Sequence, residues 1–279
     1  MIHKFQINSQ GLTSDTWNLK YPALSSITAT VPSYIEQKRI SELFTHFDAL
    51  ITLHQRKLGH LQEQKTGLLQ KMFPKDGAGV PEIRFPEFTD AWEQRKLSEL
   101  ADFSKGSGYS KGDLRETGTP IILYGRLYTK YETVISEVDT FVTERENSVF
   151  SKGGEVIVPA SGETAEDISR AAAVENAGII LGGDLNILKS KPELDPAFLA
   201  ITISNGTQQQ ELSKRAQGKS VVHLHNSDLQ EVWLRYPKLD EQKKIRALFG
   251  GIDNLITLHQ RELKHLQEWK KALLQQMFI

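Results

Sequence analysis

Four short loops carry side chains and glycine amides that could bind a phosphate backbone or read the edges of bases. Their residues occupy positions 105–111, 124–130, 161–164 and 214–220. Lysine, serine, threonine and tyrosine bind phosphate, whereas arginine, glutamine and glutamate can pair with base edges. Each loop taken alone could equally be a solvated surface turn. The Gly106-x-Gly108 pair lacks the third glycine or the lysine of a nucleotide-binding loop.

The sequence shows no constellation suited to catalysis. The carboxylates Glu163, Glu166 and Asp167 share one loop, but no histidine or second acidic group stands at metal-ligand spacing from them. The chain has no cysteine, which excludes a thiol nucleophile and thiolate metal sites. It also lacks the Asn/Asp/Ser-Pro-Pro-aromatic box with which amino-methyltransferases hold the target amine. We therefore expect a protein that is not an enzyme and holds neither a metal nor a cofactor.

Composition limits the class of protein further. The absence of cysteine fits a reducing cytoplasm, and the opening residues lack the apolar core of a signal peptide. The apolar stretches are too short to span a bilayer. A formal net charge of −1 over 279 residues is unusual for a protein that binds nucleic acid alone. Nucleic-acid binding would therefore need local basic loops and a basic partner.

The loops lie between two copies of one long element. Residues 32–73 and 237–278 align without a gap and are identical at about 26 of roughly 42 positions. Neither copy contains an internal proline, and each follows a proline (Pro32, Pro237). A helix of nearly 40 residues is about 55–60 Å long, so it needs an equally long partner.

Each copy carries an apolar seam at heptad spacing, which predicts a coiled coil. The two copies could pair antiparallel within one chain, or with the copies of a second chain. The predicted seam comprises Ile40, Phe44, Phe47, Ile51, His54, Leu58, Leu61 and Leu68 in the first copy, and Ile245, Phe249, Ile252, Ile256, His259, Leu263, Leu266 and Leu273 in the second.

Polar residues interrupt the seam at matched positions. His54 and His259 form one matched pair, and Lys65 and Lys270 form another. The histidines are either tolerated polar groups or a device that fixes the register by meeting each other. A metal site is the least favoured alternative, because no second ligand occurs at i±4.

The block between the copies has the pattern of a compact α+β domain with a curved mixed sheet. Residues 74–83 hold two prolines and two glycines and indicate a linker. Helices are predicted at Asp195–Asn205 and Gly206–Ala216. Short apolar runs bounded by turn residues predict strands at Pro120–Tyr124, Thr133–Val138, Glu155–Pro159, Ala177–Leu181, Ile187–Lys189 and Val221–Leu224.

Several segments, in this order, resemble the specificity subunit of type I restriction–modification systems. Residues 88–111 resemble the opening of a target recognition domain, and residues 215–229 resemble its close. The stretches VPSYIEQKRI and YPKLDEQKKI resemble the junction that leads into the family's repeated helix. Together these segments cover almost the whole chain.

The resemblance implies a bacterial, cytoplasmic, non-catalytic subunit that places other subunits on DNA. Methyltransferase subunits would bring S-adenosylmethionine, and a restriction subunit would use ATP. The chain would be a C-terminal or truncated form with one recognition domain, acting as a homodimer or with a complementary half-subunit. Its parts would be a remnant of a preceding domain (1–31), the first helix (32–73), a linker (74–83), the recognition domain (84–236) and the second helix (237–279).

The same resemblance gives the loop residues a role on double-stranded DNA. Arg126 or Gln217 would read a base, and Lys105, Lys111 and Lys219 would contact phosphate. Partner subunits would contact exposed positions shared by both helices, such as Gln55 and Gln260. Two alternatives are a coiled-coil adaptor without a DNA role and a silent cassette. The full expected DNA-binding set is Lys105, Tyr109, Ser110, Lys111, Arg126, Lys130, Ser161, Glu163, Thr164, Arg215, Gln217, Lys219 and Ser220.

Overall fold

The computed structural model describes residues 20–28, 30–75, 77–216, 218 and 221–277. The chain divides into a helical unit, residues 1–62 with 254–279, and a globular unit, residues 63–253. The predicted remnant at 1–31 lies largely outside the described residues. Its described part contains one short helix, α1 (Tyr21–Ser25).

Two long helices correspond to the repeated sequence. They are α2 (Tyr34–Lys71) and α9 (Leu239–Met277). Both begin two residues after the prolines that open each repeat, because proline disfavours a helical conformation in the residue before it and lacks an amide hydrogen. None of the described helices combines the length and apolar character needed to cross a membrane.

In the helical unit the two helices run antiparallel within one chain. His54 lies against His259, and Asp48 pairs with Lys270, so numbering rises along one helix as it falls along the other. The seam positions in this unit are partly buried, whereas most positions between them are exposed. Intrachain pairing is therefore the arrangement observed.

Part of the predicted seam belongs instead to the core of the globular unit. Ile245 and Phe249 are each 1% exposed and pack with Phe198, Trp92 and other core residues. Leu68 and Ile252 also pack against this core. The prediction that each helix would bury its whole seam on the other helix is wrong there, because the globular unit supplies an apolar surface.

The described strands of the globular unit are β1 (Glu93–Lys96), β2 (Ala101–Lys105), β3 (Leu114–Arg115), β4 (Thr119–Ile122), β5 (Val134–Ile135), β6 (Phe141–Val142), β7 (Phe150–Lys152), β8 (Glu155–Pro159), β9 (Ser161–Gly162), β10 (Ala172–Val174), β11 (Ala177–Leu181), β12 (Leu185–Ser190), β13 (Val222–His223) and β14 (Trp233–Tyr236). They form two five-stranded mixed sheets, in the orders β2-β12-β8-β10-β5 and β3-β6-β4-β11-β7, and two two-stranded ladders, β1-β14 and β9-β13. The shorter helices are α3 (Leu97–Leu100), α4 (Arg126–Thr129), α5 (Ala165–Ile168), α6 (Pro196–Ile203), α7 (Gly206–Arg215) and α8 (Asn226–Gln230). The predicted mixed α+β class is confirmed.

Burial explains why the central elements form. Every residue of β8 is buried, as expected for a run rich in β-branched residues between two neighbouring strands. Helix α6 begins after Asp195, whose side chain accepts a hydrogen bond from the Phe198 amide at 2.9 Å. Seven of its eight residues are buried, so it forms the layer under the sheet.

The linker is ordered against the globular unit. Pro74 and Pro81 are buried, and the Ile83 amide donates to the Lys71 carbonyl at 2.9 Å. Just beyond the linker, Arg84 forms a two-point ion pair with Glu241 at 2.7 and 2.8 Å. The connection therefore holds the end of α2 and the start of α9 at one place in the globular unit.

Candidate nucleic-acid interface

The ends of neighbouring strands bring the predicted loops to one edge of the first sheet. Lys105 ends β2 opposite Asn186, and Pro159 ends β8 opposite Leu185. The loops that follow β2 and β8 consequently leave the same side. Asn186 is fully buried, and its amide group donates to the Leu224 carbonyl at 2.9 Å, which ties the segment around β13 to this edge. We call residues 105–108, 124–130, 161–164 and 222–226 the loop face.

Tyr128 and Ser161 join two parts of the loop face. The Tyr128 hydroxyl donates to the Ser161 carbonyl at 2.6 Å. Burial raises the pKa of Tyr128 well above its usual range, so the phenol remains a neutral donor. Ser161 also pairs with His223 across the β9–β13 ladder, with 3.1 Å between Oγ and Nδ1.

The loop after β2 is held by a close backbone approach. A Cβ atom at Gly106 would lie 1.9 Å from the Gly182 carbonyl oxygen, so only glycine fits there. The Ser107 amide donates to the Leu181 carbonyl at 2.9 Å. Asn226 donates to the Ser104 carbonyl at 3.0 Å, which connects this loop to the segment after β13.

Lys105 and Lys111 are exposed, and neither forms an ion pair with a carboxylate among the described residues. Glu163 is also exposed, and Thr164 next to it caps α5 by accepting from the Asp167 amide at 3.1 Å. Lys105, Lys111 and Glu163 therefore keep free hydrogen-bonding capacity toward a ligand, whereas the Thr164 hydroxyl is engaged with Asp167.

Arg126 is placed differently from the prediction. Its side chain is 7% exposed and donates to Asp139 and Glu132 at 2.7 Å each, and to the Glu137 carbonyl at 2.9 Å. The guanidinium is therefore committed to the protein and cannot reach a base edge in this conformation. The predicted base-reading role of Arg126 is corrected to a structural one.

Tyr109 is also withdrawn from the surface. It is 6% exposed, its hydroxyl lies 2.5 Å from Ser148 Oγ, and the Arg145 guanidinium covers its ring at 4.6 Å. It packs in a small core cluster with Ile121 and Ile180. The predicted DNA contact by this side chain is therefore contradicted, because the ring serves as core.

Other predicted residues are exposed or partly exposed but already have partners. Ser110 caps a short 3-10 turn by donating to Asp113 at 3.0 Å. Lys130 pairs with Asp139 at 2.9 Å, and Arg215 pairs with Glu211 at 2.8 Å. Surface ion pairs of this kind are weak enough to be exchanged for a phosphate. Gln217, Lys219 and Ser220 lie outside the described residues.

Three aromatic residues of the loop face were missed by the sequence reasoning. The rings of His223 and His225 are exposed and nearly parallel, with an interplanar angle of 5° and centroids 6.5 Å apart. Tyr124 is 36% exposed and meets Tyr128 edge to face. The alternation around Leu224 in Val-His-Leu-His could have revealed the histidines, because residues that alternate with buried ones along an extended segment point outward.

The loop face thus combines cations, hydroxyls and exposed rings. No cluster of three or more metal-ligating side chains occurs in the part of the chain that the structure describes. Such a surface can bind phosphates and contact bases.

Fold and sequence together define a class of protein: an α+β domain that lies along the chain between two copies of a long helix. The model of the type I restriction modification DNA specificity domain matches residues 89–268, and the chain belongs to this family.

Curated relatives and solved structures resemble the chain. The type I restriction enzyme MjaVIII specificity subunit of Methanocaldococcus jannaschii is 23% identical over 260 residues, which cover 89% of this chain and 60% of the relative. The putative MjaX specificity subunit of the same organism is also 23% identical, over 90% of this chain and 58% of the relative. The chain therefore spans about three fifths of the length of these relatives.

Among solved structures, the HsdS subunit from Thermoanaerobacter tengcongensis gives a TM-score of 0.55 at 17% identity, covering 99% of this chain and 67% of that one. The S subunit of the type I system from M. genitalium gives 0.57 at 14% identity, covering 99% and 69%. These likenesses concern the fold.

Proposed function

We propose that this chain is a DNA sequence-specificity subunit of a type I restriction–modification complex. The observation that supports the proposal is the family match over residues 89–268, a range that includes all four segments of the loop face. In this proposal the recognition domain reads one half-site of a bipartite target. Two helices of nearly equal sequence hold the spacing between half-sites.

Phosphate contacts are assigned to exposed cations of the loop face and its neighbours. Lys105 and Lys111 are exposed without a carboxylate partner among the described residues, and Lys219 remains a prediction. Phosphate contacts fix orientation but carry no sequence information.

Base reading is assigned to groups with free acceptors or donors. Glu163 can accept from a cytosine amino group, and Gln217 remains a predicted base reader. His223 and His225 present ring edges and faces beside Glu163's loop. Arg126 is excluded because its guanidinium is held by protein carboxylates.

The proposed complex assigns the chemistry to other subunits. Methyltransferase subunits would supply S-adenosylmethionine and flip the target adenine, and a restriction subunit would use ATP. Their basic surfaces would complete the clamp on DNA, which accounts for a specificity subunit with a net charge of −1. Exposed positions shared by both helices, such as Gln55 and Gln260, are proposed docking positions. A cytoplasmic location remains a prediction.

One recognition domain in this chain implies a second reader elsewhere in the complex. Two copies of the chain would read a palindromic interrupted site. A partner with a different recognition domain would give an asymmetric site. The length of the helices would set the distance between the two half-sites, since one helical turn advances about 5.4 Å and one base pair about 3.4 Å.

DNA binding tests the proposal directly. The complex of this chain with its methyltransferase subunit is incubated with a library of randomised duplexes, and bound DNA is sequenced at several salt concentrations. The proposal expects enrichment of one motif, bound with a steep salt dependence, and no such enrichment by the methyltransferase alone. Equal retention of all sequences, or binding independent of this chain, supports the adaptor alternative and contradicts the proposal.

A further inference from the structure

Three polar contacts between the long helices each join one copy of the repeat to the other. His54 Nδ1 lies 3.2 Å from His259 Nδ1, and Lys65 donates to Asp253 at 2.5 Å. Lys270 forms an ion pair with Asp48. In each case the two residues come from different copies of the repeat.

Sequence equivalence relates these contacts to one another. His54 and His259 are the same position of the repeat, as are Lys65 and Lys270. Asp48 and Asp253 are also equivalent. Exchanging the two copies therefore converts the Lys65–Asp253 pair into the Lys270–Asp48 pair and returns the histidine contact to itself. Each long helix therefore pairs with the equivalent sequence in the other helix, so that lysine meets aspartate and histidine meets histidine.

The charges lie where a mismatch has consequences. The Lys65, Asp253 and Lys270 side chains are 23%, 29% and 27% exposed and so are largely shielded from water, whereas the Asp48 side chain is 60% exposed. Charges at the border of an apolar seam are known to set register and orientation in coiled coils. Within the helical unit the apolar residues repeat every heptad and cannot by themselves distinguish one heptad shift from another.

A shift by one heptad abolishes all three contacts. His54 would face Ile252 or Leu266 instead of His259. Lys65 would face Arg246 or Gln260 instead of Asp253. Asp48 would lie opposite Leu263 or Met277. Each alternative separates a polar group from its partner or places it beside a like charge.

Reversing one helix is equally unfavourable. In a parallel, in-register pair, Lys65 would face Lys270, and Asp48 would face Asp253. Like charges at facing positions repel, whereas the antiparallel arrangement pairs each of these four charges with its opposite.

We propose that Asp48, Lys65, Asp253 and Lys270, with the His54–His259 contact, form a code that fixes the orientation and register in which one copy of the repeat accepts another. The surface they define is self-complementary, and its partner is the other copy of the repeat in the same chain; pairing with a second chain is the outcome expected only when the code is broken. This inference concerns helix pairing and holds whether or not the chain binds DNA.

Two double variants of equal composition separate the code from simple charge loss. Asp48→Lys with Lys270→Asp reverses one ion pair and leaves both antiparallel pairs matched. Asp48→Lys with Lys65→Asp sets the introduced lysine against Lys270 and the introduced aspartate against Asp253, so both pairs become repulsive. The second variant instead matches like helices, α2 with α2 of another chain and α9 with α9. Both variants have the wild-type net charge and keep Asp253, which also accepts a hydrogen bond from Thr133 at 3.1 Å.

Pairing is read from a distance between spin labels in the full chain. The absence of cysteine allows Gln55→Cys and Gln260→Cys to carry the only labels, at exposed positions of the helical unit. A slip of one heptad moves one helix by about 10 Å along the other, which pulsed electron paramagnetic resonance resolves. Light scattering gives the mass of the same samples.

The reversed-pair variant is expected to give the single wild-type distance and the wild-type mass. The repulsive variant is expected to lose that distance from most molecules and to shift toward a dimer. Adding Asp253→Lys and Lys270→Asp to the repulsive variant restores both pairs and should restore the distance. If the repulsive variant does not fold, Asp48→Lys alone is compared with Asp48→Lys plus Lys270→Asp, and the code requires the second change to rescue the first. Identical distances and masses in the matched and mismatched variants, or no rescue, would overturn the proposal.

Discussion

Replacing Arg126 with methionine separates a structural arginine from a base-reading one. The substitution removes three hydrogen bonds from the guanidinium, to Asp139, Glu132 and the Glu137 carbonyl. Methionine keeps much of the apolar volume of the arginine stem, so packing changes little. The globular unit should become less stable, while base preference should not change.

The expected loss is about 2 kcal/mol. Removing one member of a fully buried ion pair costs about 3–5 kcal/mol because the other charge is stranded. Here the carboxylates of Glu132 and Asp139 are 41% and 63% exposed, so water rehydrates them and the loss falls below that range. Arg126 Nε is buried without a hydrogen-bond partner, and removing it recovers part of the cost.

Thermal unfolding followed by circular dichroism measures this change. A loss of about 2 kcal/mol lowers Tm by about 4–8 °C for a unit of this size. The matched control is Lys130→Met, which removes a cation from the same Asp139 but at a position that is 51% exposed. The control should cost about 0.5 kcal/mol or less. An unchanged Tm for Arg126→Met, with preference relaxed at one base position by about 1–3 kcal/mol, would refute the reasoning.

The described contacts support three further predictions. Hydrogen bonds from Lys130 and Arg126 lower the pKa of Asp139 to about 2. The stabilising contribution of the Asp139 carboxylate is therefore complete above its unfolded pKa of about 4 and is lost as pH falls through about 2. The Tm of Asp139→Asn should be lower than that of the wild type at pH 7, and this difference should disappear as pH falls through about 2. Arg84→Met leaves the Glu241 carboxylate, whose side chain is 2% exposed, without its ion-pair partner. The free energy of unfolding measured in urea should fall by about 3–5 kcal/mol, and adding Glu241→Met should recover most of that loss. If the two variants are equally unstable, the buried-charge explanation fails. Lys105→Ala and Lys111→Ala should each weaken binding to all DNA sequences alike and lower the slope of log affinity against log salt by about one; a sequence-dependent loss would identify base readers instead.

The periodic parts of the fold could be predicted because their signals are local. The strands Glu155–Pro159 and Ala177–Leu181 lie where the apolar runs predicted them. The repeat located both long helices to within a few residues. The heptad periodicity does not show that Ile245 packs in the core of the globular unit. An apolar seam residue has the same spacing whether it packs against the other long helix or against a globular core.

The site was less predictable because exposure depends on distant partners. Arg126 lies in a segment whose sequence alternates basic and aromatic residues, a pattern typical of a nucleic-acid-binding surface. Glu132 and Asp139, further along the chain, nevertheless bind its guanidinium. Tyr109 is covered by Arg145 from a loop more than thirty residues away. The exposed histidines gave a weak signal, because the strand that contains His223 is only two residues long and His225 lies beyond it at the start of α8.

Methylome sequencing tests the central claim most directly. Cells without other type I systems would express this chain with its methyltransferase subunit, and a matched strain would express the methyltransferase alone. The account predicts adenine methylation at one new bipartite motif that depends on this chain. A palindromic motif indicates two copies of the chain, and an asymmetric motif indicates a complementary partner. Methylation that is identical in the two strains, in the presence of a folded complex, would contradict the assignment of sequence specificity to this chain.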